Sequence, residues 1–201
     1  MPKIRKFGRE IKKRVFIVCE GSKTEPNYFR ALIEDCNFKG RPIEIFIVNT
    51  HRNTPKELVL DANNLKELSI DEAWVVFDRD GYTKHREAFR FAEEYQVNIA
   101  FSSISFEIWI LLHFMFFKSN FADSGAVIEF MKRKKLLSYR KNDKYTYQKI
   151  KHLTDTAIKN ATRLRNSQFK KFPLKEFYEF NPITNVDLLV KEIRNLKKLY
   201  Y

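Results

Sequence analysis

The chain is poor in cysteine, glycine and proline, with two, five and six of them in 201 residues. Cys19 lies in an apolar run and Cys36 in an amphipathic one, and neither belongs to a C-x-x-C pair. That excludes a zinc ribbon and a disulfide framework. Both read as buried thiols of a cytoplasmic protein. No apolar run reaches the roughly 18 residues a membrane span needs. The first stretch, MPKIRKFGREIKKR, is basic but lacks the apolar segment of a secretion signal. Internal repeats and low-complexity linkers are missing too. What is present suffices for a packed core: 44% hydrophobic residues and 19 Phe argue against intrinsic disorder. The length suits one domain, or one core with an extension.

Charge of one sign dominates, at a net +13, but unevenly. Residues 1–14 carry +6, residues 15–117 carry −5, residues 118–175 carry +12, and residues 176–201 balance. Spread evenly, such an excess would serve solubility alone. Clustered on both sides of an acidic middle, it points to a polyanion, with nucleic acid first.

The first 117 residues alternate strand and helix signals. Val15–Cys19, Pro42–Val48, Ala73–Phe77 and Val97–Phe101 read as four short buried strands. Between them lie helix patterns: one from Thr24, which can cap it; one opened by the capping box Thr54-Pro55-Lys56-Glu57; and one from Thr83 to Tyr95. Ser105 can cap a fourth helix running to Phe117. That helix is apolar nearly all round, with Glu107 and His113 as its ionisable groups. His113 reads best as a core residue. Glu107, if buried, needs a cation, a proton or the helix N-terminus. The expected fold is α/β, a Rossmann-like, mostly parallel sheet. Residues 1–117 form its core with a basic N-terminal arm. Residues 118–201 form a basic, mainly helical extension packed on it, with helices over Ser124–Leu137, over 147–166 and after Thr184.

Ligands of open parallel sheets collect at the carboxyl ends of the strands. Glu20-Gly21 follows the first strand and Asp78-Arg79-Asp80-Gly81 the third. If those strands are neighbours, Glu20, Asp78 and Asp80 share one edge, and a turn at Gly81 lets both aspartates reach one hard cation. Gly21-Ser22-Lys23-Thr24 is not a phosphate-binding P-loop, because Ile17 and Ser22 stand where that motif needs glycine.

These residues resemble the Toprim domain of topoisomerases, primases and OLD-type nucleases. The closer resemblance is to the RloB-like (abortive-infection AbiLii-like) proteins. It rests on IVCEGSKTEPNYF (17–29), VVFDRDG (75–81), SFEIWILLHF (105–114) and NPITNVDLLV (181–190). The resemblance implies a Toprim fold, a divalent metal (Mg²⁺ or Mn²⁺), a role in phage defence and an ATPase partner. Glu20 matches the Toprim glutamate, and Asp78 and Asp80 match its metal-binding pair. Tyr82 stands where topoisomerases have a third aspartate, and no transesterifying tyrosine module is evident, which puts strand passage in doubt. Glu25 fills the place of the second glutamate of OLD-type nucleases at a spacing one residue longer.

The reading is a metal-dependent nuclease for DNA or RNA, with Glu20, Asp78, Asp80 and Lys23 as catalytic residues. One magnesium would sit on Glu20, Asp78 and Asp80, and a second would use Glu25 or Glu107. Lys23 and Arg79 would neutralise the phosphate. Lys132, Arg133, Lys134, Lys135, Lys144 and Lys149 would track the backbone, with Tyr145 and Tyr147 as stacking groups. The alternative is a non-catalytic Toprim-like sensor or adaptor that binds nucleic acid and regulates an ATPase.

Overall fold

The computed structural model describes residues 11–50, 54–79 and 84–200. Its centre is a five-stranded sheet. Strands β1 (Lys13–Cys19), β2 (Ile43–Asn49), β3 (Glu72–Asp78) and β4 (Asn98–Ser103) are parallel, in the order β2-β1-β3-β4. Strand β5 (Ile183–Thr184) closes the sheet antiparallel to β4, with Thr184 opposite Ser102. The α/β class expected from the sequence is therefore the one formed. A two-residue strand has no periodicity to read, which is why β5 is missing from that expectation.

Helices α1 (Thr24–Cys36), α2 (Pro55–Asn64) and α3 (His85–Glu94) make the three crossovers between the parallel strands. Thr54 caps α2 as expected: its hydroxyl accepts the Glu57 N–H at 3.3 Å and donates to the Glu57 carboxylate at 2.9 Å, with Pro55 at the first helical position. At α1 the expectation needs correction. Lys23 is the cap residue, without a side-chain bond, and Thr24 lies inside the helix.

Strand alternation sorts the core into two layers. Val15, Ile17, Trp74 and Val76 face α1 and the tail helices, while Phe16, Val18, Val75 and Phe77 face α2 and α3. Each such side chain contributes roughly 1.5–3 kcal/mol when fully buried. The tail is part of this core. Helices α5 (Ser124–Arg133), α6 (Thr146–Ile150), α7 (Thr154–Lys171) and α8 (Val186–Leu199) supply Met131, Ile150, Leu164 and Ile193 to the α1 layer. Asp187 of α8 is fully buried, and its charge is matched by Arg165 at 2.9 Å and Lys191 at 2.8 Å.

Helix α4 (Glu107–Leu112) is shorter than its apolar run, which predicts a helix to Phe117. The phenylalanines after it find partners off the helix axis. Phe116 lies under the Arg163 guanidinium at 4.0 Å, and Phe117 stacks on Phe121 at 4.6 Å. Helix α5 stops before Leu137, because the chain turns left-handed at Lys135 (φ 53°). The single helix expected over 147–166 is split by a short 3₁₀ turn at Lys151–Leu153. The last helix starts at Val186, with Asn185 as its cap residue, although the Thr184 hydroxyl does accept the Val186 N–H at 3.3 Å.

Candidate functional site: an acidic cleft at the carboxyl edge

β1 and β3 are neighbours, with Cys19 opposite Val76, so their carboxyl ends share one edge. Glu20 is fastened there by its backbone N–H, which donates to the Val76 carbonyl at 2.9 Å. Its carboxylate accepts the Asp78 backbone N–H at 3.2 Å. Alternation along β3 directs Asp78 to the same face as Trp74 and Val76, toward the starts of α1 and α4. The Phe106 backbone N–H faces the Asp78 carboxylate and favours its charged form. Glu107 follows, in the first turn of α4, and is buried. Its carboxylate accepts the Tyr139 hydroxyl at 2.8 Å.

Glu25 comes from the first turn of α1 and is also buried. Its carboxylate lies against Gly21: a Cβ there would stand 2.8 Å from Glu25 Cδ. Glycine at this turn is thus a condition for the carboxylate to pack on the backbone. Glu25, Asp78 and Glu107 line one cleft of about 160 Å³, with Lys23 and Lys141 as its cations.

The electrostatics follow from burial among like charges. Desolvation pushes the Asp78 carboxyl well above the usual range, and the fields of Glu25, Glu107 and Glu20 push the same way. Glu25 is raised by burial first and then by Glu107 and Glu20, against its own helix N–H and Lys141. Among the described residues, no arginine forms a hydrogen bond or ion pair with Glu25, Asp78 or Glu107. Such a cluster gains by taking up protons or a cation. The donors are hard oxygens, the chemistry that Mg²⁺ and Mn²⁺ take. Among the described residues, however, no three His, Cys, Asp or Glu side chains stand together as a finished cation cage. Asp80, Gly81, Tyr82 and Thr83 lie outside the described residues, as does most of the basic N-terminal arm.

Of the residues expected at the site, the cleft therefore gathers Lys23, Glu25, Asp78 and Glu107, with Glu20 bonded beside them. Arg79 does not join them. It follows Asp78 and points to the opposite face, where its guanidinium donates to the carbonyls of Glu179 at 3.3 Å and Phe180 at 3.4 Å. Both bonds use Nη1, and they place the guanidinium apart from the cleft to which the sequence assigns it. Lys132, Arg133, Lys134 and Lys135 are exposed at the end of α5, outside the cleft lining. Arg133 and Lys134 lie over the Phe130 ring at 5.7 and 6.0 Å. Lys144 lies over Tyr145 at 5.0 Å, and Lys149 is paired with Asp143 at 2.6 Å. Tyr145 is exposed as a stacking group must be. Tyr147 is not: it is buried edge-on to Tyr28, with its hydroxyl on Asp35 at 3.2 Å. His113 is a core residue, buried, with Nδ1 on the Trp109 carbonyl at 2.9 Å; burial pushes its pKa down to about 4.

Tyr139, Lys141 and Asn142 are the members of the site that the sequence did not flag. They arrive on a loop more than a hundred residues after Thr24. Asn142, left-handed at φ 70°, fastens that loop by donating its N–H to the Thr24 hydroxyl at 3.3 Å. Their sole local signal is membership of a basic stretch.

No curated protein and no solved structure matches the chain. A family model does: that of the RloB-like proteins aligns with residues 15–193, from β1 into α8 and across every residue of the cleft. The chain belongs to the RloB-like protein family.

Proposed function

We propose that the chain is a Mg²⁺- or Mn²⁺-dependent nuclease that hydrolyses phosphodiester bonds of DNA or RNA, acting in abortive-infection defence against phage beside an ATPase partner. The observation that carries this reading is the convergence of Glu25, Asp78 and Glu107 in one cleft at the carboxyl edge of β1 and β3, with Glu20 bonded beside them. The setting in phage defence rests on the family resemblance. Glu20, Glu25, Asp78 and Glu107, with Asp80, are the residues that would hold metal. A bound divalent ion would supply charge for the scissile phosphate and an activated water.

The chain's own groups have separable tasks. Glu20 fixes the carboxyl end of β3 by accepting the Asp78 N–H, so Asp78 presents its oxygens to the cleft. Tyr139 holds one oxygen of Glu107 and leaves the other free to act. Lys23 and Lys141 give the mouth of the cleft positive charge, which draws a phosphate toward an otherwise repulsive acidic floor. The exposed cations of α5 extend that attraction along a strand.

A second reading, a non-catalytic nucleic-acid-binding adaptor for the ATPase, draws on one observation: the carboxylates of the described residues do not form a finished cage. Incubating the purified protein with tRNA, single-stranded DNA and duplex DNA separates the two. Each substrate is tested with Mg²⁺ or Mn²⁺, and with and without the ATPase. Metal-dependent cleavage is expected, and Asp78→Asn and Asp80→Asn should each abolish it while leaving the fold intact. Wild-type rates in both variants would remove this pair as ligands. Binding without cleavage under every condition would favour the adaptor.

A further inference from the structure

A second cavity, lined by four cations and one carboxylate, lies at the other end of the molecule. The carboxyl-terminal ends of α1 and α8 meet the 3₁₀ turn after α6 around a cavity of about 530 Å³. Arg41, just before β2, donates to the Lys197 carbonyl at 2.8 Å, which fixes this end of α8 near the amino edge of the sheet. The acidic cleft is at the carboxyl edge, so the two sites are distinct.

Leu32, Cys36 and Tyr147, each nearly closed to solvent, form the floor of this cavity. Lys151, Arg194, Lys197 and Lys198 form its walls. Arg194, Lys197 and Lys198 come from the last turns of α8 and Lys151 from the 3₁₀ turn more than forty residues earlier, with Asp35 of α1 beside them. Their charge is only partly spent. Lys151 is paired with Asp35 at 2.5 Å, and Arg194 with Asp155 at 2.6 Å. Lys197 and Lys198 make no salt bridge among the described residues, although their fields reach inward. Lys197 helps hold the Asp35 carboxyl low, after its bond to Lys151, and opposes the rise that burial imposes on the Cys36 thiol. Part of the need for cations here is the negative end of α8, which Lys197 and Lys198 serve by position. That role requires no cavity, and it leaves the two ammonium groups without an anionic partner among the described residues.

We infer that this cavity binds a phosphorylated small molecule with a compact apolar body, of the size and charge of a nucleoside monophosphate. Its volume falls within the range of small-molecule pockets. The methylene stems of Lys151, Arg194, Lys197 and Lys198 above the buried floor offer apolar contact to a sugar and base, and their head groups supply donors for a phosphate dianion. Orthophosphate would leave the floor empty, and an uncharged nucleoside would leave the ammonium groups unmatched.

Calorimetric titration of the full chain tests this, with EDTA present to keep divalent ions out of the acidic cleft. The ligands are AMP, GMP, CMP, UMP, ribose 5-phosphate, orthophosphate, adenosine and a 5′-phosphorylated decanucleotide. At least one monophosphate should bind tenfold or more tighter than both orthophosphate and adenosine. Lys197→Glu with Lys198→Glu should weaken that binding tenfold or more. The milder Lys197→Ala with Lys198→Ala should weaken it in the same direction, and Lys118→Glu with Lys170→Glu, at exposed positions outside the cavity, should leave it unchanged. The inference is overturned if no monophosphate binds or if orthophosphate binds equally well. It is also overturned if affinity survives the double charge reversal, or if the decanucleotide alone binds, which would make the cavity part of a strand-binding track. None of these results depends on whether the acidic cleft cleaves anything.

Discussion

Two aspartates bracket β3 and have opposite fates. Asp71, just before the strand, has a side chain closed to solvent. It is held by the Arg14 guanidinium and by the backbone N–H groups of Glu67 and Leu68 at 2.9 and 2.8 Å. Those partners pull its carboxyl down to about 2. Asp78, seven residues on, is buried among Glu25, Glu107 and Glu20, and its carboxyl is pushed well up. One residue type on one strand thus becomes a structural anchor at the amino edge and an unneutralised charge at the carboxyl edge. Burial is common to both, and the sign of the neighbouring charge separates them. Under the proposed function this difference marks the carboxyl edge as the end set aside for chemistry, because a charge left unmatched in the core costs stability.

The sharpest way to test the contrast is to neutralise both positions and read activity and stability together. Asp78→Asn should lower any metal-dependent cleavage by a factor on the order of 10²–10³. In EDTA at neutral pH it should leave the melting temperature unchanged or raise it. Asp71→Ala should leave cleavage within about threefold of wild type. It should lower the melting temperature by roughly 5–10 °C, because it strips Arg14 of a buried partner. A cleavage-dead Asp71→Ala variant with an intact melt would erase the distinction.

The pH dependence of the two effects should have opposite sign. A depressed carboxyl such as Asp71 contributes stability above the ordinary carboxylate range, and that contribution is lost as pH falls through about 2. The gap between wild type and Asp71→Ala should therefore be constant from pH 5 to 8 and close toward pH 2. For Asp78 the raised carboxyl means that the folded state keeps its proton longer. Stability is then lost as pH rises above the ordinary range. In EDTA the advantage of Asp78→Asn should grow with pH. Melts across pH 3–8 measure both, and parallel curves for the two variants would contradict the assigned environments.

How much of this was legible in the sequence depends on whether local pattern or distant packing decides a residue's place. Glu20 and Asp78 each follow an apolar run of strand length, and Glu107 opens an apolar helix, so their shared edge could be read from order alone. The pairing of β1 with β3 could not, because it depends on β2 taking the outer position. Arg79 could have been read better: alternation on β3 sends it away from Asp78, and the guanidinium indeed lies on the far face. β5, the early end of α4 and the loop bearing Tyr139, Lys141 and Asn142 had no local signal. Each is fixed by contacts between segments about 30 to 120 residues apart.

A smaller effect concerns the basic surface, which contrasts with the cleft as long-range attraction against short-range chemistry. Charge neutralisation at Lys132, Arg133, Lys134 and Lys135 should weaken nucleic-acid binding without changing sequence preference. The slope of log affinity against log salt should become shallower by about 0.7–0.9 for each phosphate that the variant no longer neutralises. Fluorescence anisotropy at several salt concentrations gives that slope, and an unchanged value would place the binding surface on other cations.

The smallest expected effect separates anchoring from chemistry within the cleft itself. Glu107 has one oxygen held by Tyr139 at 2.8 Å, a bond that couples the basic tail to the acidic floor. Burial and the Glu107 charge push the Tyr139 phenol upward, so it remains a donor throughout the working range of pH. Tyr139→Phe removes the donor and keeps the ring. If the bond only anchors the loop, the variant should lose roughly 1–2 kcal/mol, or a few degrees of melting temperature, with cleavage per folded molecule unchanged. If it orients Glu107 for a cation, Mn²⁺ affinity measured by calorimetry should fall several-fold while the EDTA melt barely moves, since the freed carboxylate can rotate toward Lys141. Glu107→Gln calibrates the result. Removing one charge from a repulsive cluster relieves Asp78 and Glu25, so its EDTA melt should hold or rise even as Mn²⁺ affinity falls. A Glu107→Gln protein that melts lower in EDTA but binds Mn²⁺ like wild type would assign Glu107 to the scaffold, on the side of Asp71 rather than Asp78.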